Sequence, residues 1–150
     1  MIRIQEEDFD ISELQTYLRN AVPSKIGAIC LFTGLVREFG DQAGVTSIEL
    51  EHYPGMTEKQ LQRIVSQAEE QWPILASCVV HRVGKLALDE QIVAVAVSSS
   101  HREAAFEACS FIMDFLKRDA TIWKKETGEK SDWVAQKESD ARKAEQWQQN

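Results

Sequence analysis

Four short stretches of the chain carry side chains able to hold an anion and move protons. In the first, Phe32-Thr33-Gly34-Leu35-Val36-Arg37, an apolar run ends at an arginine beside a turn-rich segment. Taken alone, an arginine at a strand end is most simply a solvated charge. In the second, Ser98-Ser99-Ser100-His101-Arg102, three hydroxyls precede a histidine and an arginine at the start of a helical pattern. Free N–H groups and the positive end of the helix dipole favour an anion there. Two cations at that place oppose the dipole, and a bound anion would resolve the conflict. Arg102 adds a planar fork suited to phosphate or carboxylate. The plainer alternative is that Glu103 and water suffice. The third candidate is Lys117, in the last turn of the same pattern, where an ordinary pairing with Asp114 competes with a functional role. The fourth is Trp123-Lys124-Lys125-Glu126 on a short strand. Adjacent strand residues point to opposite faces, so only one of Lys124 and Lys125 can enter a given pocket. A lysine desolvated near other cations loses proton affinity and becomes a usable base. His81-Arg82 lies inside a strand and reads as a partly buried structural pair.

The elements that must position these groups follow from apolar spacing. Ile11, Leu14, Tyr17 and Leu18 predict a helix over 11–19, with Asp10 or Ser12 as its cap. Residues 27–36 read as a buried strand, 38–44 as a turn-rich and mobile stretch, and 45–53 as a strand with one wet face. Pro54-Gly55 breaks that strand. Thr57 and Gln60 suggest a capping box, ahead of a stripe made by Leu61, Ile64, Val65, Ala68 and Trp72. Strands are expected at 76–83 and 91–98, the second apolar enough to be covered on both faces, with a turn at Asp89-Glu90. A second long helix, opened by Ser100 and Glu103, runs to about Arg118. Segments 122–126 and 133–135 suit a hairpin around Thr127-Gly128-Glu129-Lys130. Residues 137–150 read as a polar, partly mobile tail, although Trp147 suggests a docking contact. Mixed strands and helices without a regular βαβ period indicate the α+β class, and 150 residues indicate one domain.

Composition narrows the function. The formal net charge is −7, which disfavours nucleic-acid and anionic-membrane partners, so an anionic ligand needs a local cluster of cations. No apolar run approaches the roughly 18 residues of a membrane span. The opening residues turn acidic at once and lack the apolar core of a signal peptide, so a cytoplasmic location is expected. Cys30, Cys78 and Cys109 are far apart in apolar surroundings, without metal-ligand spacing. They read as free thiols acting as small hydrophobes.

Taken together, these segments resemble the large, catalytic subunit of molybdopterin synthase. The resemblance is carried by Phe32-Thr33-Gly34 through Arg37, Leu50-Glu51-His52-Tyr53-Pro54-Gly55-Met56, His81-Arg82-Val83-Gly84 and Ser100-His101-Arg102. It continues through Phe106-Glu107-Ala108, Phe111-Ile112-Met113-Asp114, Leu116-Lys117, Trp123-Lys124-Lys125-Glu126 and Trp133-Val134. It runs from about residue 27 to 139. It implies an α/β-hammerhead-type fold with an additional small antiparallel β-sheet, and a sulfurtransferase of molybdenum cofactor biosynthesis. Such an enzyme converts cyclic pyranopterin monophosphate to molybdopterin by inserting two sulfurs as a dithiolene. The sulfur arrives as a thiocarboxylate on the C-terminal Gly-Gly of a small ubiquitin-like subunit. A homodimer of large subunits, with a small subunit at each end, makes a heterotetramer. No cofactor and no metal is implied.

Residue by residue, the resemblance places Lys117 and Lys124 as catalytic lysines. Arg37, His101 and Arg102 fall on the substrate-anion pocket, Lys125 and Glu126 on the substrate-contacting segment, and Phe32 and Met113 on the pocket wall. Lys137 stands where arginine is expected, and Leu35 where lysine is common. Replacing oxygen by sulfur at carbon needs protons for the departing oxygens, work suited to Lys117, with Lys124 positioning substrate or sharing the transfer. Helix geometry adds a condition. His101 and Lys117 are sixteen residues apart on one expected helix, about 24 Å at 1.5 Å per residue. A composite site follows, with His101 and Arg102 from one subunit and Arg37, Lys117 and Lys124 from its mate. Two rivals remain: a catalytically silent module that docks a ubiquitin-like partner, and an unrelated phosphate-ester hydrolase.

Overall fold

The computed structural model describes residues 1–38, 44–128, 132–134 and 138–148. Its elements follow in the order β1 (Ile2–Gln5), α1 (Ile11–Ala21), β2 (Ala28–Leu35), β3 (Ser47–His52), α2 (Met56–Gln71) and β4 (Ile74–Arg82). Then come β5 (Gly84–Ala87), β6 (Gln91–Ser99), α3 (Arg102–Asp119), β7 (Ile122–Thr127), β8 (Asp132–Val134) and α4 (Glu138–Gln146). One sheet has the order β1-β4-β6-β2, with β1 parallel to β4 and the other pairs antiparallel. The second, β5-β3-β7-β8, is antiparallel throughout. The class is α+β, with the added antiparallel sheet that the resemblance implies.

Alternation along β6 explains why its sequence is apolar on both faces. Val93, Val95 and Val97 join the core under α2 and α3, while Ala94 and Ala96 pack with Leu14 and Leu18 of α1 on the other side. A third cluster, including Val36, Ile48, Leu50 and Leu86, lies beneath the second sheet. The helix caps are local. Asp10 accepts from the Ser12 N–H at 2.7 Å, and Glu58 accepts from the Gly55 N–H at 2.6 Å, where Gly55 takes a positive φ of 80°.

Several expectations are corrected. β2 is not a buried strand. Among the described residues it pairs only with β6, so it forms a sheet edge and leaves Phe32 and Leu35 40% and 51% exposed. Thr57 and Gln60 do not make the capping box. Thr57 is wholly buried and binds Tyr53 and Thr121, while Gln60 accepts from the Thr121 N–H and hydroxyl. Ser100 does not cap α3 either; its hydroxyl donates to the Lys25 carbonyl, and His101 takes the cap position. β1 and β5 are strands beyond those the apolar spacing predicts. Residues 138–146, expected as polar tail, form α4. Its Ala144 is fully buried, and just beyond it the Trp147 ring stands edge-on to Trp72 and Phe111 at 5.5 and 5.8 Å. Residues 39–43, within the stretch expected to move, and Lys137 lie outside the described residues.

Candidate active site

The C-terminal end of β2, the last turn of α3 and the inner face of β7 converge on a cavity of about 810 Å³, a size typical of small-molecule sites. Phe32 and Arg37 line it from β2 and the residues after it, Met113 and Lys117 from α3, and Lys124 and Glu126 from β7. Strand register decides which β7 side chains enter. Lys124 lies opposite Leu50 and Glu126 opposite Ile48, both core residues of β3, whereas Lys125 lies opposite the exposed Glu49. Cross-strand partners share a face, so Lys125 points outward, where its ammonium sits 5.9 Å from the Trp133 ring centroid. It does not line the cavity.

Charge in the cavity is balanced locally. Glu126 is fully buried, and its carboxylate accepts from the Lys124 ammonium at 2.6 Å. A group expected to contact substrate is therefore engaged by the neighbouring lysine. Lys117 is half exposed, and its ammonium lies 3.8 Å from Asp140 on α4. Asp114, the alternative partner suggested by spacing, instead accepts the Trp147 indole N–H at 3.0 Å. Arg118 pairs with Asp119 at 2.8 Å and lies over the Phe115 ring. Arg37 is exposed and makes no ion pair with a described residue. It is therefore available to an incoming anion.

His101 and Arg102 stand apart from this group. α3 is unbroken from Arg102 to Asp119, with His101 as its cap, and both side chains are exposed at the far end. The rise to Lys117 is about 24 Å, and neither residue lines the cavity. The N-terminus of α3 has no side-chain cap, so its first N–H groups remain free to meet an anion.

Asp140 and His81 are among the cavity groups outside the expected site. Asp140 was hidden in the tail, where the only signal was Ala144 and Trp147 spaced by three. His81, expected as half of a structural pair, is among the residues that line the cavity. Burial pushes its pKa down to about 4, so the ring is neutral near pH 7. Among the described residues no cluster of His, Cys, Asp and Glu could hold a metal ion. The three cysteines are free, and burial raises the thiol pKa of Cys78 and Cys109. What the cavity offers is cations, proton donors and an apolar wall.

The family model described as MoaE protein matches residues 4–119, well over half of the chain. The chain belongs to the MoaE protein family. Among its curated relatives, the molybdopterin synthase catalytic subunit of Ralstonia nicotianae is 50% identical over 147 residues, covering 97% of this chain and 83% of that one. The corresponding subunit of Vibrio cholerae is 46% identical, covering 98% and 97%. A solved structure, the molybdopterin cofactor biosynthesis protein E of Burkholderia multivorans, superposes with a TM-score of 0.84 at 44% identity, covering 99% and 96%. The MoaE match contains Arg37, His101, Arg102 and Lys117. β7 and α4 lie beyond it, within the longer span shared with these relatives.

Proposed function

We propose that this chain is the sulfur-inserting subunit of a molybdopterin synthase. It would convert cyclic pyranopterin monophosphate to molybdopterin with sulfur delivered as the C-terminal thiocarboxylate of a small ubiquitin-like partner. The observation that carries this reading is the convergence of Arg37, Lys117 and Lys124 on one cavity in a MoaE-family chain. The relatives' designation as a catalytic subunit fits an assembly with a second kind of chain. Three free cysteines suit the reducing cytoplasm, where we place the reaction.

Each sulfur transfer forms a C–S bond and releases an oxygen from carbon, which must take up a proton. Lys117, half exposed and 3.8 Å from Asp140, supplies that proton and offsets the charge of the approaching thiocarboxylate. Lys124 is held at the base of the cavity by Glu126 and orients substrate there. Water then takes the partner's acyl carbon, leaving a carboxylate tail and a sulfur on the pterin side chain. Arg37 neutralises a substrate anion. His101 and Arg102, about 24 Å along α3 from Lys117, serve the cavity of a dimer mate.

The test is mass spectrometry of the product formed from cyclic pyranopterin monophosphate and the thiocarboxylated partner. A dithiolene product, lost on Lys117→Ala, supports the reading. Partner binding without product would mark a silent docking module. Phosphate release without any partner would mark a hydrolase.

A further inference from the structure

His81 sits on β4 with Ile4 and Val93 as its strand neighbours, is 6% exposed, and is one of the residues that line the cavity. Nδ1 lies 2.7 Å from the Arg82 carbonyl oxygen. A carbonyl can only accept, and a neutral imidazole has one hydrogen, so Nδ1 carries it and Nε2 keeps a bare lone pair. The alternative, a doubly protonated ring, is opposed by burial and by nearby His52. No described residue donates to Nε2. Several other ionisable groups of the cavity are paired. Lys124 and Glu126 engage each other, as do Lys117 and Asp140, and Arg118 and Asp119. The Thr121 hydroxyl is taken up by Gln60 and Thr57. His81 thus supplies a neutral acceptor beside these ion pairs and the exposed cation Arg37.

A lone pair of this kind repels phosphate and thiocarboxylate oxygens, so it cannot serve the anions that the cations serve. Its complement is an uncharged N–H or O–H donor. Resting on the function proposed above, we propose that Nε2 of His81 accepts a hydrogen bond from an N–H of the substrate's pterin heterocycle, and so fixes how the substrate is turned toward Lys117 and Lys124. The pairing is specific because a buried acceptor left without a donor costs free energy, which disfavours any pose that turns the heterocycle's N–H edge away.

The chain has three histidines, so ¹⁵N-histidine NMR of the full-length protein can follow this one directly, with His81→Asn for assignment. Cyclic pyranopterin monophosphate alone is expected to move the His81 Nε2 resonance upfield while Nδ1 stays protonated. An Nε2 signal that does not move although calorimetry shows the substrate bound would overturn the inference. So would a shift produced only by the partner in its carboxylate form, which would assign the donor to a tail amide. If calorimetry shows that substrate does not bind at all, it is the function that fails. Kinetics give a second arm. His81→Asn keeps a donor for the Arg82 carbonyl but removes the acceptor, and is expected to raise KM for the pterin about tenfold with kcat little changed. His81→Gln, which returns an oxygen near the Nε2 position, should recover most of the loss. Equal KM values in all three proteins would sink the assignment.

Discussion

Glu126 is fully buried and lies 2.6 Å from the Lys124 ammonium, so the two side chains are expected to be energetically coupled. Glu126→Gln is expected to destabilise the fold by about 1–3 kcal/mol and to lower sulfur transfer by freeing Lys124 to move. Denaturant titration of Glu126→Gln, Lys124→Met and the double variant tests this: the double should cost less than the two singles together, and strict additivity would refute the pairing. His81 makes a pH prediction of known sign. Its pKa falls from 6.5 when unfolded to about 4 when folded, so between these values the unfolded chain binds the extra proton. Stability is therefore constant above pH 6.5 and declines as pH drops toward 4, by roughly 3 kcal/mol in all. Asp8, whose carboxyl is held below its ordinary 3.8 chiefly by Gln91, acts at lower pH and leaves this window clear. Urea denaturation from pH 7.5 to 4 should show the slope in the wild type and a shallower one in His81→Asn. At this scale the separation of Lys124 from Lys125 was readable in advance, because strand alternation is a local property. The buried neutrality of His81 was not, since it depends on burial by distant parts of the chain and on His52.

Elements with long periodic apolar patterns could be read from sequence because their periodicity comes from one extended buried face. α2, α3 and β6 are of this kind. β1 and β5 have only four residues each, and what makes them strands is a distant partner: β4 for Ile2–Gln5, and β3 for Gly84–Ala87. The edge position of β2 is likewise a matter of sheet order rather than of its own residues. α4 is the most instructive case. Its surface is polar and its attachment rests on Ala144 and the adjoining Trp147, which packs against Trp72 and Phe111 and donates to Asp114. Trp147→Ala should cost about 2–4 kcal/mol, and hydrogen exchange should show α4 amides opening before those of α3. Because α4 carries Asp140 to Lys117, the same variant should alter transfer kinetics more than Lys143→Ala, a change of an exposed residue on the same helix. Equal exchange protection of α4 in wild type and Trp147→Ala would show that the indole does not hold the helix.

A chain with a formal net charge of −7 must gather cations locally to bind an anionic substrate, and here they lie in two groups. Arg37, Lys117 and Lys124 share the cavity, while His101 and Arg102 occupy the opposite end of an unbroken α3. One small substrate cannot span about 24 Å of helix. If both groups serve a single reaction, a two-fold dimer must bring the α3 N-terminus of one subunit to the cavity of the other. That arrangement has a consequence which no single-chain site shares. His101→Ala and Lys117→Ala should each be nearly inactive as pure proteins. After unfolding and refolding as a mixture, half the dimers contain one of each. In such a dimer one cavity receives both lesions, and the other receives intact Lys117 from one chain and intact His101 from its mate. Activity should therefore return to about a quarter of wild type. If every group came from one chain, each cavity of the mixed dimer would keep one lesion, and mixing would restore nothing.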